Sequence, residues 1–580
     1  MQSHISVRKY AFAALFSLCA GAAFAGGTFV TALPSAPITL DPALMYDRYS
    51  VMLALNIYEP LVAFGGKSYR ADFAPFLSAK VPSRKNGLIS KDGRTYTFPI
   101  RTDIKFHDGA KLSAEDVRYS LMRVIFTGFN DGPASLFLRP LLGLGEAQEQ
   151  YCPLPPSYKD VAAAIKTDGN NLVITLEHPY PPLLSLLASW PFVTSKAWAV
   201  AHGDWDGTEA TLASYRNRPR EKSALRMQAD GTGPFKLESM DADTGRVVMA
   251  RNDAYWRGPA KLEKLIFDVV PSETNRQSML EAGDIDYAEF DRTSVPDLEH
   301  MKGVAVQDNL PDYAVGQFLA FNFDVDAASN PFVGSGALDG NGIPHDFFSD
   351  PDVRKGFAYA FDYDKYFHGA LRAKAHRLTS AVPRPDAPKT PPFTYDPKKA
   401  GEYFRKAFGG KLWDKGFTFV AVYSIGRREG QYAMDMLAEG LKKINPAFNM
   451  RLHGLHEPEL MEMARQHRLP IFSRSFEPDY PDYYNMAFHM MHSAGMIPGY
   501  QHYHNAEVDR LCDKTLYTEG PERAAAFAAL DKMYADDAAG ILLFSPDYFK
   551  AYREGVTGVD TPPGVFEMHN FLDYYRVDKK

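Results

Sequence analysis

Between Asp92 and Ile125 the apolar residues change period across a single turn, and that change fixes the class of fold the chain can adopt. In "DGRTYTFPIRTDIKFHDGAKLSAEDVRYSLMRVI", Tyr96, Phe98 and Ile100 alternate with Thr97, Pro99 and Arg101, the pattern of a strand. "HDG" reads as a turn, and His107 as a turn residue bonding locally. Ser113 then opens a helix with Asp116 three residues on, an approximate capping box. Val117, Leu121 and Val124 supply its apolar stripe. The alternation recurs. "TFVTALP" reads as a strand, and "RYSVMLALNIYEPLV" as a helix that Pro60 ends. "GTGPFKLESM" and "GRVVMARNDAYW" read as a strand pair, and "KLEKLIFDVVPSETNRQSMLEAGDIDYAEF" as strand, helix, turn and short strand. Later, "VGQFLAFNF", "FTFVAVYS" and "FNMRLHGL" are strands, and "DPDVRKGFAYAFDYDKYF" and "EGQYAMDMLAEGLKKI" are helices. "PERAAAFAALDKMYADDAAGILLFSP" is a long helix running into an apolar strand. Strands and helices alternating in both halves predict α/β, or mixed α+β, lobes. Residues 128–160, rich in Gly and Pro, read as an insertion or loop. At 580 residues the chain is too long for one core and predicts two to four domains or lobes.

The N-terminus is a separate object. Arg8 and Lys9 precede an apolar run ending in Ala23-Phe24-Ala25, the layout of a secretory signal cleaved after Ala25. The run is too short to span a bilayer. Cys19 offers a lipoprotein alternative, but Leu18 stands where that pattern wants Gly or Ala. The expected protein is exported to the periplasm and soluble. Its net charge of −7 becomes −9 once Arg8 and Lys9 leave, which argues against nucleic acid as a partner. Cys152 and Cys512 then remain, either as one disulfide or as two thiols.

Catalytic motifs are missing. There is no HExxH, no GxSxG and no CxxC, and "FGGKSY" has Leu61 where a phosphate loop needs its first Gly. A secreted hydrolase using paired carboxylates stays open as a rival from another class. One stretch does concentrate chemistry: "FEPDYPDYYNMAFHMMHSAG", residues 476–495, sets Asp479 and Asp482 among Phe and Tyr rings, with His489 and His492 behind.

Eight ordered blocks carry a resemblance: "TLDPAL…NIYEPLV", "YTFPIRTDIKFHDGAKLSAEDVRYSL", "GTGPFKL", "RNDAYWRG", "FDVVPSETNRQSMLEAGDIDY", "FLAFNF", "DPDVRKGFAYAFD" and "HNAEVDRLCDKT". Together they resemble the family 5 extracellular solute-binding proteins, the dipeptide, oligopeptide and nickel receptors of ABC importers. Residues 128–160 and 323–347 fit that pattern poorly. The resemblance implies a two-lobed clamshell. After the signal (1–25), lobe I comprises 26–75, an extra subdomain at 76–230, and 231–314. Lobe II is 315–538, and 539–580 return to lobe I. Crossings near Asp312–Phe318 and Asp537–Leu543 form the hinge. It also implies a monomer that is not an enzyme, needs no cofactor, binds a peptide, and docks on an inner-membrane ABC permease. Another amine-bearing or sugar-derived solute such as an opine, or a metal complex, is the alternative ligand.

The same resemblance gives Asp479 in "PDYPDY" the role of holding a ligand ammonium. A buried carboxylate is costly alone and favourable once it meets a cation. Asp482 reads as the N-cap of the helix that follows. Tyr483 and Tyr484 depart from the family's Pro-Asp-Asn, and Phe476-Glu477-Pro478 departs from its Trp and small residues. Arg427 or Arg428 is the candidate for a ligand carboxylate, since guanidinium suits bidentate recognition. Phe476, Tyr480, Tyr46, Tyr58 and Phe472 are the candidate lining rings. His489, His492, His502 and His504 match no standard metal spacing.

Overall fold

The computed structural model describes residues 27–66, 72–128, 132–143, 156–216, 218–310, 315–425, 427–518, 520–560 and 569–579. The signal segment, Cys19 and Cys152 lie outside them, so neither the cleavage nor the cysteine pairing is addressed. Cys512 is buried, with its Sγ 3.6 Å from the Ala487 carbonyl oxygen. Among the described residues no helix is long and apolar enough to cross a membrane.

Two mixed sheets organise the chain. The first has seven strands, in the order Val304–Leu310, Tyr548–Arg553, Tyr287–Ala288, Thr28–Leu33, Lys264–Val269, Val247–Arg251 and Phe235–Met240. The second has six: Ala375–Arg377, Gly540–Pro546, Val315–Phe321, Ile471–Phe476, Phe417–Ser424 and Phe448–Leu455. Strand periodicity explains its three layers. Leu319 and Phe321 face one apolar cluster, and Phe318 and Ala320 face the other. Phe417–Ser424 and Phe448–Leu455 run parallel, joined by the helix Arg428–Ile444, whose Ala433, Leu437 and Leu441 are buried at helical spacing.

A three-stranded sheet, Thr95–Pro99, Asn171–Thr175 and Ile165–Asp168, forms the extra subdomain with the helix Ala114–Thr127. Here the expected local structure is present. Tyr96, Phe98 and Ile100 are buried, Ser113 and Asp116 make a reciprocal capping box, and Gly109 turns the chain at φ +95. His107, by contrast, does not bond locally. Its Nε2 lies 3.0 Å from the Gly233 oxygen and its Nδ1 accepts from Gly231 N, so it staples the subdomain to a distant segment. Burial pushes its pKa down to about 4. The supposed loop at 128–160 contains two helices, Ala134–Leu142 and Tyr158–Ala164. Pro140 and the flanking glycines hid the first, although Leu136, Phe137, Leu138 and Leu141 are buried.

The hinge is a paired ribbon. Val304–Leu310 pairs antiparallel with Tyr548–Arg553 in the first sheet. Their continuations, Val315–Phe321 and Gly540–Pro546, pair antiparallel in the second. The second crossing therefore falls between Pro546 and Tyr548. It was expected at Asp537–Leu543, but strand pairing puts Gly540–Pro546 in the second lobe. Gly316 is needed at this point, because a Cβ there would lie 2.0 Å from the Phe544 oxygen.

The first lobe buries an ion triad. Arg123 meets Asp41 through Nη1 at 2.5 Å and Asp204 through Nε at 2.5 Å, with side chains 3%, 1% and 5% exposed. Burial opposes the charge on Asp41, and Arg123 outweighs it, so its pKa falls below the ordinary carboxylate value. Replacing Arg123 by Met leaves two buried carboxylates without their cation. We expect a loss of about 3–5 kcal/mol in the first lobe's urea unfolding transition.

Candidate ligand-binding site

Between the lobes lies a cavity of about 690 Å³. Its floor is the hinge ribbon, at Gly316, Gln317, Asp547 and Tyr548. One wall is the helix Arg48–Ile57 and the segment Tyr287–Arg292; the other is formed by the loop ends after Phe417–Ser424 and Ile471–Phe476. Strand ends place polar side chains here because the backbone leaves the sheet and its alternation stops.

Charges from both lobes meet across the space. Arg48 pairs with Glu289 of its own lobe at 2.9 Å and with Glu477 of the other at 3.4 Å. His569 approaches Glu477 at 3.5 Å, and the Tyr548 hydroxyl donates to it at 3.4 Å. Although 40% of the Glu477 side chain faces open space, protein from both lobes surrounds it. That burial opposes its charge, but Arg48, His569 and Arg427 outweigh it and bring its pKa down to about 2. Arg427 is exposed to the cavity and has no ion-pair partner among the described residues.

The expected site residues divide sharply. Of the eight, Arg427 alone lines this cavity. Arg428 reaches across to the Thr293 hydroxyl at 3.4 Å. Asp479 is already saturated: Oδ1 accepts from the Tyr46 hydroxyl of the opposite lobe at 2.7 Å, and Oδ2 from Asn485 at 3.0 Å. His489 Nε2 lies 3.3 Å from Oδ2. Burial raises the pKa of Asp479, but bonds from His489, Asn485 and Tyr46 outweigh it and hold it below the ordinary value. Tyr46 is half exposed, stacks on Trp190, and has its own pKa raised by burial and by Asp479. Tyr480 is buried, its hydroxyl 2.6 Å from that of Tyr180. Phe476 is buried against His489.

Two lining candidates are corrected. Phe472 is fully buried in the second lobe's core on a central strand, and Tyr58 is 1% exposed in the first lobe's core. Both rings follow the inward face of their elements, and neither reaches the cavity. Asp482 caps Tyr483–Met491, accepting from Tyr484 N, and also pairs with Arg523 at 2.6 Å. His489 lies against Asp479, His492 against Asp509 and Asp513, His502 against the Asp324 carbonyl, and His504 against Ser493 and Asp509. Among the described residues no three His, Cys, Asp or Glu gather to hold a metal.

Sequence reading missed Arg48, Glu477, Asp291, Glu429 and Gln317. Glu477 had stood out only as a departure from pattern, and the other four carried no motif. It also missed a second line of closure. Arg139, on the helix hidden in 128–160, bonds the Tyr484 hydroxyl and Asp513 (2.7 Å) of the opposite lobe and lies over the Phe488 ring.

Comparison with known proteins fits this architecture. The model of the bacterial extracellular solute-binding proteins, family 5 Middle, matches residues 84–497. The chain belongs to this family. The probable D,D-dipeptide-binding periplasmic protein DdpA of Escherichia coli K12 is 23% identical over 548 residues, covering 92% of this chain and 91% of that protein. The glutathione-binding protein GsiB of Escherichia coli O6:K15:H31 is 24% identical over 564 residues, with 93% of each chain covered. The periplasmic binding protein DppA of Helicobacter pylori, solved with the peptide STSA, superimposes with a TM-score of 0.69 at 21% identity, covering 96% of this chain and 98% of that one. Structural neighbours of this kind are two-lobed binding proteins, which agrees with the clamshell expected from sequence.

Tyr46→Phe removes the cross-lobe donor to Asp479. We expect it to weaken closure by about 1.5–3 kcal/mol, read as a larger fraction of open molecules in small-angle scattering. The stabilisation from Asp479 is complete above the ordinary carboxylate pKa and is lost as pH falls through its lowered value. Scattering from the parent protein should therefore show opening in acid.

Proposed function

We propose that the protein is an exported receptor, cleaved after Ala25, that closes on a short peptide in the periplasm and presents it to an ABC permease. It acts as a monomer and as a carrier, not a catalyst. The observation that carries this reading is the interlobe cavity of about 690 Å³ with the Arg427 guanidinium, unpaired among the described residues, on its wall. A cavity of this size suits a ligand of a few residues. The peptide-related names of the relatives support the class of ligand.

In this reading Arg427 receives the ligand carboxylate. Asp479 receives the α-ammonium, which takes the place of the Tyr46 hydroxyl on Oδ1. The exchange is favourable because a charged donor replaces a neutral one on a buried carboxylate. Tyr46 and Asp479 belong to different lobes, so the bond that closes the empty protein gives way to a ligand that touches both.

Calorimetry with di- to tetrapeptides tests this. N-acetylation and C-terminal amidation are each expected to weaken binding. Asp479→Asn should cost roughly 3 kcal/mol against a free-amine peptide, above a hundredfold in Kd, and little against its acetylated form. Arg427→Met should abolish the difference between free and amidated peptides. Equal affinities for free and acetylated peptides in the parent protein would remove Asp479 from the site. Turnover of the peptide would favour the hydrolase instead.

A further inference from the structure

We propose that Asp291 and Glu429, one carboxyl from each lobe, form a second cation subsite at the hinge end of the cavity, which selects ligands carrying an ammonium or guanidinium group on a side chain. This rests on the receptor reading and names the kind of solute that reading leaves open.

The two residues are positioned by independent elements. Asp291 precedes the short turn Arg292–Ser294 of the first lobe, and Thr293 fixes its Oδ1 through N (2.9 Å) and Oγ1 (2.8 Å). Glu429 lies in the first turn of Arg428–Ile444 in the second lobe. Both line the cavity, and the bond from Arg428 to the Thr293 hydroxyl holds their two segments close. The negative charge of a neighbouring carboxylate disfavours ionisation of the other. Burial, followed by the charge of Asp291, raises Glu429 to about 7, with Arg427 opposing the rise.

The other acids of the cavity are already matched. Arg48 takes Glu289 and Glu477, Arg474 takes Glu457, and His376 meets Asp547 at 2.8 Å. Glu273 accepts from Ser294 Oγ and Asp291 N and lies 4.0 Å from Arg276. Among the described residues Asp291 and Glu429 have no ion-pair partner. A separate observation points to the same place. Gln317 lines the cavity, is 93% buried at 7% exposure, and its side chain has no hydrogen-bond partner among the described residues. Its Oε1 lies beside Gly430, the residue after Glu429. The amide faces the cavity, and a ligand N–H reaching this corner gives its oxygen a partner together with the two carboxyls. Because the carboxyls come from opposite lobes, a cation between them pairs with both and draws the lobes together.

The test compares Ala-Lys-Ala with Ala-Gln-Ala, and agmatine as a guanidinium without a carboxylate, by calorimetry on the parent protein, Glu429→Gln and Asp291→Asn. Thermal melting confirms that the variants fold. The expected result is at least tenfold preference for the lysine peptide in the parent, lost in both variants while the glutamine peptide still binds. Equal binding of the two peptides by the parent, or equal loss of both in the variants, overturns the subsite and leaves the receptor reading standing. Agmatine bound by the parent and lost in Glu429→Gln, with neither peptide bound, supports the subsite and overturns peptide as the ligand. Binding of none of the three overturns the subsite.

Discussion

The two lobes are joined through two antiparallel strand pairs, one in each sheet, built from the same two stretches of chain. Val304–Leu310 continues as Val315–Phe321, and Gly540–Pro546 returns as Tyr548–Arg553. Because the strands pair on both sides of the crossing, each lobe can build its own hydrophobic layers while the ribbon fixes where their faces meet. The close approach at Gly316 allows no side chain at that position. The cavity lies directly above this ribbon, so the geometry of binding is set by backbone pairing before any side chain is considered.

Across the cavity the lobes meet through charged and hydroxyl groups, beside an apolar contact in which Tyr480, Tyr484, Phe488 and Leu516 join the first lobe's buried cluster. Arg48 with Glu477, Tyr46 with Asp479, Tyr180 with Tyr480 and Arg139 with Asp513 form a succession of cross-lobe bonds. Each is modest in net free energy, since water satisfies the same groups when the lobes part. A surface closed by bonds of this kind opens readily, and a ligand that offers better partners shifts the balance toward closure.

In the proposed function Asp479 serves two states. Its Asn485 and His489 partners come from the helix it precedes, and its Tyr46 partner comes from the other lobe. The local partners orient the carboxylate, and the remote one is replaceable. Such an arrangement keeps a buried charge satisfied when no ligand is present, which an isolated acid in a dry cleft would not be.

Much of this was legible in the residues. The change of period between Tyr96 and Val124, the capping box at Ser113 and Asp116, and the parallel strand–helix–strand through Arg428–Ile444 all follow from local spacing and short-range bonds. So does the N-cap at Asp482, whose carboxylate needs only the next turn of chain. The helix Ala134–Leu142 was hidden because Gly and Pro mark loops on average, while its leucines are buried by partners distant in sequence. Phe472 and Tyr58 were misplaced for the same reason, since an aromatic ring serves core and cleft alike and only packing separates them. Sequence by itself determined the strands, the helices and their caps, which depend on neighbours a few residues away. Only the tertiary structure decided which charges face one another, because Asp291 and Glu429, or Tyr46 and Asp479, meet only after the paired ribbon has brought two separately folded lobes together.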